Sequence, residues 1–284
     1  MDGFLLIDKP KNITSFGVCN KIRKKFNIDK VGHNGTLDPN TTGLMILALG
    51  RATKLLKLIN EHDKEYIAKI TFGYDSKTLD FESELTEIKT EVNLDKIKEG
   101  LEYLKNQEEQ IPPMTSNVKI NGQKLIDYQR KNLDVDVKPR KVKLYNYEIL
   151  SNLELVDGHY EIDIKLDVSK GFYVRALARD LGKYLGGSAI LHELRRTKMN
   201  EYDLANAKTI DEVSENDIIK ITDFFDLPKV NVDNYMVKLV KNGIELDERQ
   251  TNLSGIFYVV NNCDIIAIYE EVSHLKYKPI LIFK

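Results

Sequence analysis

Gly32-His33-Asn34-Gly35-Thr36-Leu37-Asp38-Pro39-Asn40-Thr41-Thr42-Gly43, followed at once by Leu44-Met45-Ile46-Leu47-Ala48-Leu49, decides how the chain is read. The stretch from Gly32 to Gly43 has the composition of a loop and holds one carboxylate. Glycine permits left-handed backbone and close ligand approach, Pro39 fixes its own φ and disfavours helix at Asp38, and Asn and Thr side chains can bond nearby amides. The apolar run from Leu44 to Leu49 has the character of a strand buried on both faces. Asp38 is therefore expected on a rigid turn anchored in the core, as in an active-site loop.

Working outward, Phe4 to Ile7 is expected as a strand, Ser15 to Phe26 as a helix begun at Thr14 or Ser15 with Val18, Ile22 and Phe26 inward, and Arg51 to Asn60 as helical. Tyr66 to Phe72 alternates, which puts Tyr66, Ala68, Ile70 and Phe72 on one side of a strand. A polar, acidic stretch from Asp75 to Lys89 leads to a helix begun at Asn93, with Ile97, Leu101 and Leu104 on one face. Ile111-Pro112-Pro113-Met114 then breaks the pattern. Met114 to Lys143 is rich in Lys and Arg, with a turn at Asn121-Gly122, and suggests a hairpin-like or mobile excursion. His159 to Val168 alternates, with Tyr160, Ile162, Ile164, Leu166 and Val168 on one face. Ser169-Lys170-Gly171-Phe172-Tyr173-Val174-Arg175 leads into an amphipathic helix, Val174 to Leu185, stopped by Gly186-Gly187. A strand, a glycine turn and an arginine at a helix start make a second corner suited to a site. Beyond Leu227-Pro228-Lys229, strand-like runs at Gly255 to Val260, Ile265 to Tyr269 and Pro279 to Phe283 set off a β-rich module.

The 284 residues, 42% of them hydrophobic, suffice for one large domain and a small appended one. Met1 to Asp8 carries a short apolar run between acids and no basic leader, so no signal peptide is expected. No apolar run reaches the roughly 20 residues of a membrane-spanning helix, and the cytoplasm is the expected compartment. Cys19 and Cys263 are far apart and the five histidines are scattered, so inert thiols are expected, with no disulfide framework and no metal site. The formal charge of −2 hides an asymmetry: residues 1–60 carry ten Lys and Arg against four Asp, whereas residues 61–110 carry seven basic and fourteen acidic side chains. A positive face beside the Asp38 loop suits a nucleic-acid backbone, although a helix with its apolar residues inward must also turn charge outward.

The loop is not a phosphate loop, because no Gly-Lys-Ser/Thr follows and a carboxylate would repel phosphate. An aspartic protease needs a second such loop to share a proton, and a glycosidase pair built from Asp38 and Asp80 has no support in the spacing. The residues do carry a family resemblance. Gly3-Phe4-Leu5-Leu6-Ile7-Asp8-Lys9-Pro10, then Gly32 to Pro39, then Ser169 to Arg175, in that order, resemble bacterial tRNA pseudouridine-55 synthases of the TruB type, over roughly residues 3–228.

The resemblance implies an α+β pseudouridine-synthase fold, with a mixed, largely antiparallel central sheet and flanking helices over residues 1–228. Residues 114–143 would be a mobile basic arm that closes on RNA, and residues 229–284 a small PUA-like domain. The implied reaction isomerises a uridine in the T-loop of tRNA: the N1–C1′ bond breaks, the uracil rotates, and C5 joins the sugar. No atom is gained or lost, so no cofactor or metal is expected. The expected partner is the T-stem-loop of tRNA, met by a monomer, since no exposed apolar stripe asks for a second subunit.

In the family's pattern Asp38 is the catalytic nucleophile or base, and an ordinary aspartate pKa of about 3.9 leaves it ionised at neutral pH. Arg175 is the cation that would hold it charged in a water-poor pocket. Tyr66 matches an aromatic that stacks on the target uracil and is placed to act as a base towards the sugar. Leu194, in Leu194-Arg195-Arg196, matches an apolar wall of the uracil pocket, and Tyr173 an aromatic lining it. His33 matches the histidine that fills the space of the flipped nucleotide. Lys9, with Pro10, joins the substrate-binding set in a supporting role, shaping the loop. Taken singly, Tyr66, Tyr173 and Leu194 suit an ordinary core and Arg175 a surface ion pair. Residues 229–284 balance seven basic with seven acidic side chains, so a modest contribution to RNA binding is expected from them. Two other readings share these residues: a guide-RNA-dependent synthase of the dyskerin type, and a non-catalytic RNA-folding or RNA-binding protein. The basic excursion favours the stand-alone enzyme over the first, and the intact trio of Asp38, Tyr66 and Arg175 speaks against the second.

Overall fold

The apolar run after the Asp38 loop is the pivot of the fold. In the computed structural model, which describes residues 1–59, 63–262 and 264–283, Leu44 to Leu49 are all 0% exposed. Strands β1 (Gly3–Lys9), β2 (Val31–Asn34), β3 (Thr42–Leu49), β4 (Lys64–Phe72), β5 (Leu144–Ile149), β6 (His159–Val168) and β7 (Ala189–Met199) form a mixed sheet in the order β1-β3-β7-β4-β6-β5, with β2 also on β3. The short β3–β7 contact is parallel and the other pairings are antiparallel.

Strand alternation sends neighbouring residues to opposite faces. Leu5, Ile7, Met45, Leu47 and Leu49 enter a core shared with helices α1 (Ser15–Lys25), α2 (Leu94–Lys105) and α3 (Val174–Tyr184). Phe4, Leu6, Leu44, Ile46 and Ala48 face the other way and meet Tyr258, Val260, Ile268 and Leu281. These partners belong to a five-stranded sheet made of Lys229–Asn231, Leu246–Asp247, Ile256–Asn261, Asp264–Ser273 and Lys276–Ile282. The run is continuous in apolar character because both of its faces are covered.

The helices begin where their caps place them. The Thr14 hydroxyl accepts the Gly17 N–H at 2.9 Å, and the Asn93 side chain accepts the Asp95 N–H at 2.8 Å. Arg23, Lys24 and Lys25 close the last turn of α1, where positive charge complements the helix dipole.

Several expectations shift. The Asp38 loop is shorter than its composition suggests: Gly32 to Asn34 already belong to β2 and Thr42-Gly43 to β3, leaving Gly35 to Thr41 as the turn. His33 and Asn34 pair with Leu47 and Ile46, so the ladder on β3 overrides their weak strand preference. Tyr160, expected on the buried face of β6, is 37% exposed, because the strand there runs past the core into a hairpin with Glu154–Val156. The expected helix after Arg51 is a 3-10 turn, Gly50–Leu55, and a single α turn, Leu56–Ile59. Its end at Asn60, and the Cys263 thiol, lie outside the described residues. The acidic stretch holds a small hairpin, Tyr74–Ser76 with Leu85–Glu87, whose connecting loop carries Asp80.

The basic excursion leaves and returns through a pairing of Glu109–Gln110 with Arg140–Lys141. Within it, Lys119–Ile120 and Gln123–Lys124 form a hairpin, followed by a short helix, Leu125–Arg130. Asn121 and Gly122 have φ of 50° and 81°, as a tight Asn-Gly hairpin turn requires. Lys119, Lys124, Arg130, Lys131, Lys138, Arg140, Lys141 and Lys143 are all exposed. Among the described residues, no helix is long and apolar enough to cross a membrane.

Candidate active site

The sheet forks where β3 begins. β2 pairs with Ile46 to Leu49, and β7 takes over at Thr42 and Gly43, so the Gly35–Thr41 turn rises from the gap between two strands. Gly43 has φ of 104°, and a Cβ there would run into the Arg196 carbonyl, so the close approach of β7 requires glycine. The turn is held from beneath. Ser15 Oγ donates to the Leu37 carbonyl at 2.9 Å and accepts the Leu37 N–H at 2.8 Å. Lys9 Nζ donates to the carbonyls of Pro39 at 2.9 Å and Pro10 at 3.0 Å. The Thr41 N–H closes the turn on the Asp38 carbonyl at 3.1 Å.

Arg175, in the first turn of α3, reaches the same place from the other side. Its Nη2 lies 3.0 Å from Asp38 Oδ2. Its Nη1 donates to the Thr78 carbonyl at 2.9 Å and to Thr115 Oγ1 at 2.6 Å, with Asp80 Oδ2 at 3.5 Å. The guanidinium thus bridges two carboxylates. The Arg175 side chain is 9% exposed but that of Asp38 is 47% exposed, so burial falls on the cation and the water-poor carboxylate expected from the sequence is not found in the chain by itself. The ion pair orients Asp38 towards the cleft, as charge-assisted bonds from a planar fork do.

That cleft has a volume of about 340 Å³ and is lined by Asp38, Tyr66, Tyr173, Arg175 and Leu194, with Lys64, Ser116 and Arg196. Tyr66, near the start of β4, is 8% exposed and pairs across the sheet with Leu166 and Arg196. Arg196 is buried: Nε donates to the Leu44 carbonyl at 2.7 Å and Nη2 to the Gly35 carbonyl at 3.2 Å. Burial disfavours its charge, and Tyr66 offsets part of that cost. Burial, and then Arg196, draw the Lys64 ammonium down to about 8.

Asp38, Tyr66, Tyr173, Arg175 and Leu194 therefore meet in one cleft, whereas His33 and Lys9 do not line it. His33 stands on β2 opposite Leu47, with Nδ1 buried and without a hydrogen-bond partner among the described residues. Burial, then the charge of Arg196, hold its imidazole below the usual histidine value. Lys9, grouped with the substrate-binding residues, is 0% exposed and gives its ammonium to the turn's carbonyls. Burial draws it down to about 8, and Asp38 opposes that shift. It supports the turn and does not face the cleft.

Asp80 and Thr115 touch Arg175 and Arg196 lines the cleft, and the sequence reading gives none of them a place in the site. Asp80 enters that reading only as a second glycosidase acid, and nothing in the acidic stretch marks it. Strand parity could have found Arg196. Adjacent residues of β7 face opposite ways, and Arg195 bonds Asp8 at 3.1 and 2.7 Å while Arg196 turns inward. The positive face of residues 1–60 is also thinner than their count suggests. Lys9 is buried, Lys25 bonds the carbonyls of Ile210 and Asp211, and Lys11, Arg51 and Lys57 pair with Glu193, Asp2 and Glu270. Lys21, Arg23, Lys24, Lys30 and Lys54 remain exposed.

The chain is similar to known proteins in sequence and in fold. The family model described as "TruB family pseudouridylate synthase (N terminal domain)" matches residues 23–174. The chain is 39% identical to the tRNA pseudouridine synthase B of Onion yellows phytoplasma (strain OY-M), over 98% of this chain and 99% of that one. It is 37% identical to the protein of the same name from Acholeplasma laidlawii (strain PG-8A), over 98% of each. Among solved structures, a chain of an H/ACA RNP bound to a substrate RNA containing 2′-deoxyuridine is similar with a TM-score of 0.68 and 22% identity, over 99% of this chain and 85% of that one. A chain of a Cbf5-Nop10-Gar1 complex gives 0.67 and 24%, over 99% and 83%. These structural likenesses speak to the fold.

Proposed function

The chain belongs to the TruB family of pseudouridylate synthases, and on that premise we propose that it converts uridine 55 in the T-loop of tRNA to pseudouridine, with Asp38 as the reacting carboxylate. Relatives named tRNA pseudouridine synthase B that match nearly the whole chain support tRNA as the substrate. The assignment of roles rests on one observation: Asp38 Oδ2 lies 3.0 Å from the largely buried Arg175 beside a cleft lined by Tyr66, Tyr173 and Leu194.

The reaction balances within the substrate. The N1–C1′ bond breaks, the uracil turns, C5 bonds to C1′, the C5 proton leaves and N1 takes one up. Asp38 acts as nucleophile or base, and Arg175 holds it in place. Tyr66 stacks on the uracil and offers its hydroxyl to the sugar, while Tyr173 and Leu194 close the apolar sides of the pocket. A base inside a stack cannot reach these groups, so the uridine must flip out, and His33 fills the space it leaves. Lys9 acts through the turn. The exposed cations of residues 114–143 contact phosphates, which would make binding salt-dependent. Residues 1–228 form the catalytic part, residues 229–284 a PUA-like part, and the enzyme works as a monomer.

Mapping pseudouridine by mass spectrometry, in an unmodified tRNA transcript incubated with the purified chain, tests this reading. Position 55 alone, formed without a guide RNA, is the expected product. Modification elsewhere, or only when a guide RNA is added, contradicts it.

A further inference from the structure

The basic arm and the catalytic arginine touch through the segment that opens the arm. Tyr173, which caps the start of α3, and Arg175 and Arg179 within it each bond to that segment. Gln110 Oε1 accepts the Tyr173 N–H at 2.8 Å, and its Nε2 donates to the Tyr173 carbonyl at 3.1 Å. Arg179 Nη2 donates to the Ile111 carbonyl at 3.1 Å. Arg175 is bonded twice by one residue, with Nη1 donating to Thr115 Oγ1 at 2.6 Å and Nη2 to the Thr115 carbonyl at 3.3 Å. Between these anchors Pro112 and Pro113 are buried and fix their own φ, so Thr115 comes from a stiff piece of chain.

A guanidinium holds its donors in one plane, so whatever fixes the plane fixes every bond it makes. Nη2 divides its donors between Asp38 and the Thr115 carbonyl, and Nη1 between the Thr78 carbonyl and the Thr115 hydroxyl. The hydroxyl contact is the shortest of the set. Without it, Nη1 keeps the Thr78 carbonyl and the long 3.5 Å contact to Asp80 Oδ2, and the fork is free to turn towards Asp80 and carry Nη2 away from Asp38.

We propose that Thr115 is a positioning residue: its hydroxyl, delivered by the base of the arm, sets the plane of the Arg175 guanidinium and through it the Asp38 carboxylate. The arm then completes the catalytic pair as well as meeting RNA. The inference rests on the roles proposed for Asp38 and Arg175.

Two variants separate the hydroxyl from the shape. Thr115→Val keeps the branched side chain without the acceptor, and Thr115→Ser keeps the acceptor. With saturating unmodified T-stem-loop RNA, the single-turnover rate of Thr115→Val should fall about 10- to 100-fold, the scale of one hydrogen bond to a charged group. Its Kd for the same RNA should stay within about threefold, and Thr115→Ser should recover most of the rate, since one bond at this distance governs orientation and not the phosphate contacts. A normal rate for Thr115→Val, an equal loss in Thr115→Ser, or a loss confined to Kd overturns the proposal. An inactive parent protein would instead refute the functional reading, and a second measurement judges Thr115 without turnover. In protein labelled with ¹⁵N-arginine, the Arg175 Nη signals, assigned by their absence in Arg175→Lys, should be distinct in the parent and in Thr115→Ser and merge by rotation in Thr115→Val. Unchanged Arg175 signals in Thr115→Val overturn it.

Discussion

Asp38 and Arg175 divide the site's work by burial. The carboxylate is half exposed and meets the cleft, and the arginine is nearly enclosed and spends its donors on Asp38, the Thr78 carbonyl and Thr115. A lysine at 175 would bring one point charge on a flexible stem and could not serve those acceptors together. Arg175→Lys is therefore expected to lower the single-turnover rate at least about 100-fold, with RNA affinity within a few-fold of the parent, as for the loss of a planar donor that serves Asp38, Thr78 and Thr115 together. A rate within about fivefold in the same assay would remove Arg175 from the site. At this scale the sequence spoke clearly only of Asp38, whose loop composition marks it without outside help. The roles expected of Tyr66, Tyr173 and Leu194 come from family resemblance alone, because a lone tyrosine or leucine carries no sign of a task. Asp80 and Thr115 were not legible at all. They meet Arg175 across 95 and 60 residues of chain, and partner choice at that range belongs to the fold.

The elements were largely written in periodicity and caps. The helices begun at Thr14 and Asn93, the strand pivot after Gly43 and the β6-to-α3 corner all stand where alternation, capping residues and glycine put them. Errors gathered at ends, where the backbone ladder or the edge of the core decides, as at His33-Asn34 and Tyr160. One tie between elements has a measurable consequence. Lys9, the last residue of β1, holds the Pro39 carbonyl while fully buried, and burial draws its ammonium down to about 8. An unfolded lysine titrates near about 10.4, so between about pH 8 and 10 the unfolded chain binds more protons than the folded one, and stability rises with pH across that window. Below about pH 8 both states carry the charge and the full cost of burying it is felt. Lys64, also drawn down to about 8, adds a rise of the same sign, so Lys9→Met should show a smaller rise than the parent. Denaturant unfolding of both proteins at pH 7.5 and 9.5 checks this, and parallel pH dependences would contradict it.

At the scale of the whole molecule, the composition of residues 229–284 predicts a separate β-rich module but does not say what it covers. Its residues Tyr258, Val260, Ile268 and Leu281 back the sheet that carries the Asp38 turn, Tyr258 donates to the Phe225 carbonyl at 2.9 Å, and Lys57 pairs with Glu270. A shared core unfolds as a unit, so calorimetry of the full chain should show one transition. Removal of the residues after Pro228 should expose Phe4, Leu6, Leu44 and Ile46 and cause aggregation; two separate transitions and a well-behaved truncated protein would contradict this. For the same reason truncation is a poor gauge of what this part adds to RNA binding. The surfaces proposed to meet RNA and the group proposed to do the chemistry are also different residues: exposed cations on the arm and α1, and the Asp38 carboxylate in the cleft. Asp38→Asn keeps shape and the Arg175 neighbour while removing the charge, and tritium release from [5-³H]uridine-labelled T-stem-loop RNA, read beside its Kd, tests that separation most directly. Release at background with a Kd within about threefold of the parent is expected, because the lost group makes no phosphate contact. Near-normal release from Asp38→Asn would contradict the account at its centre.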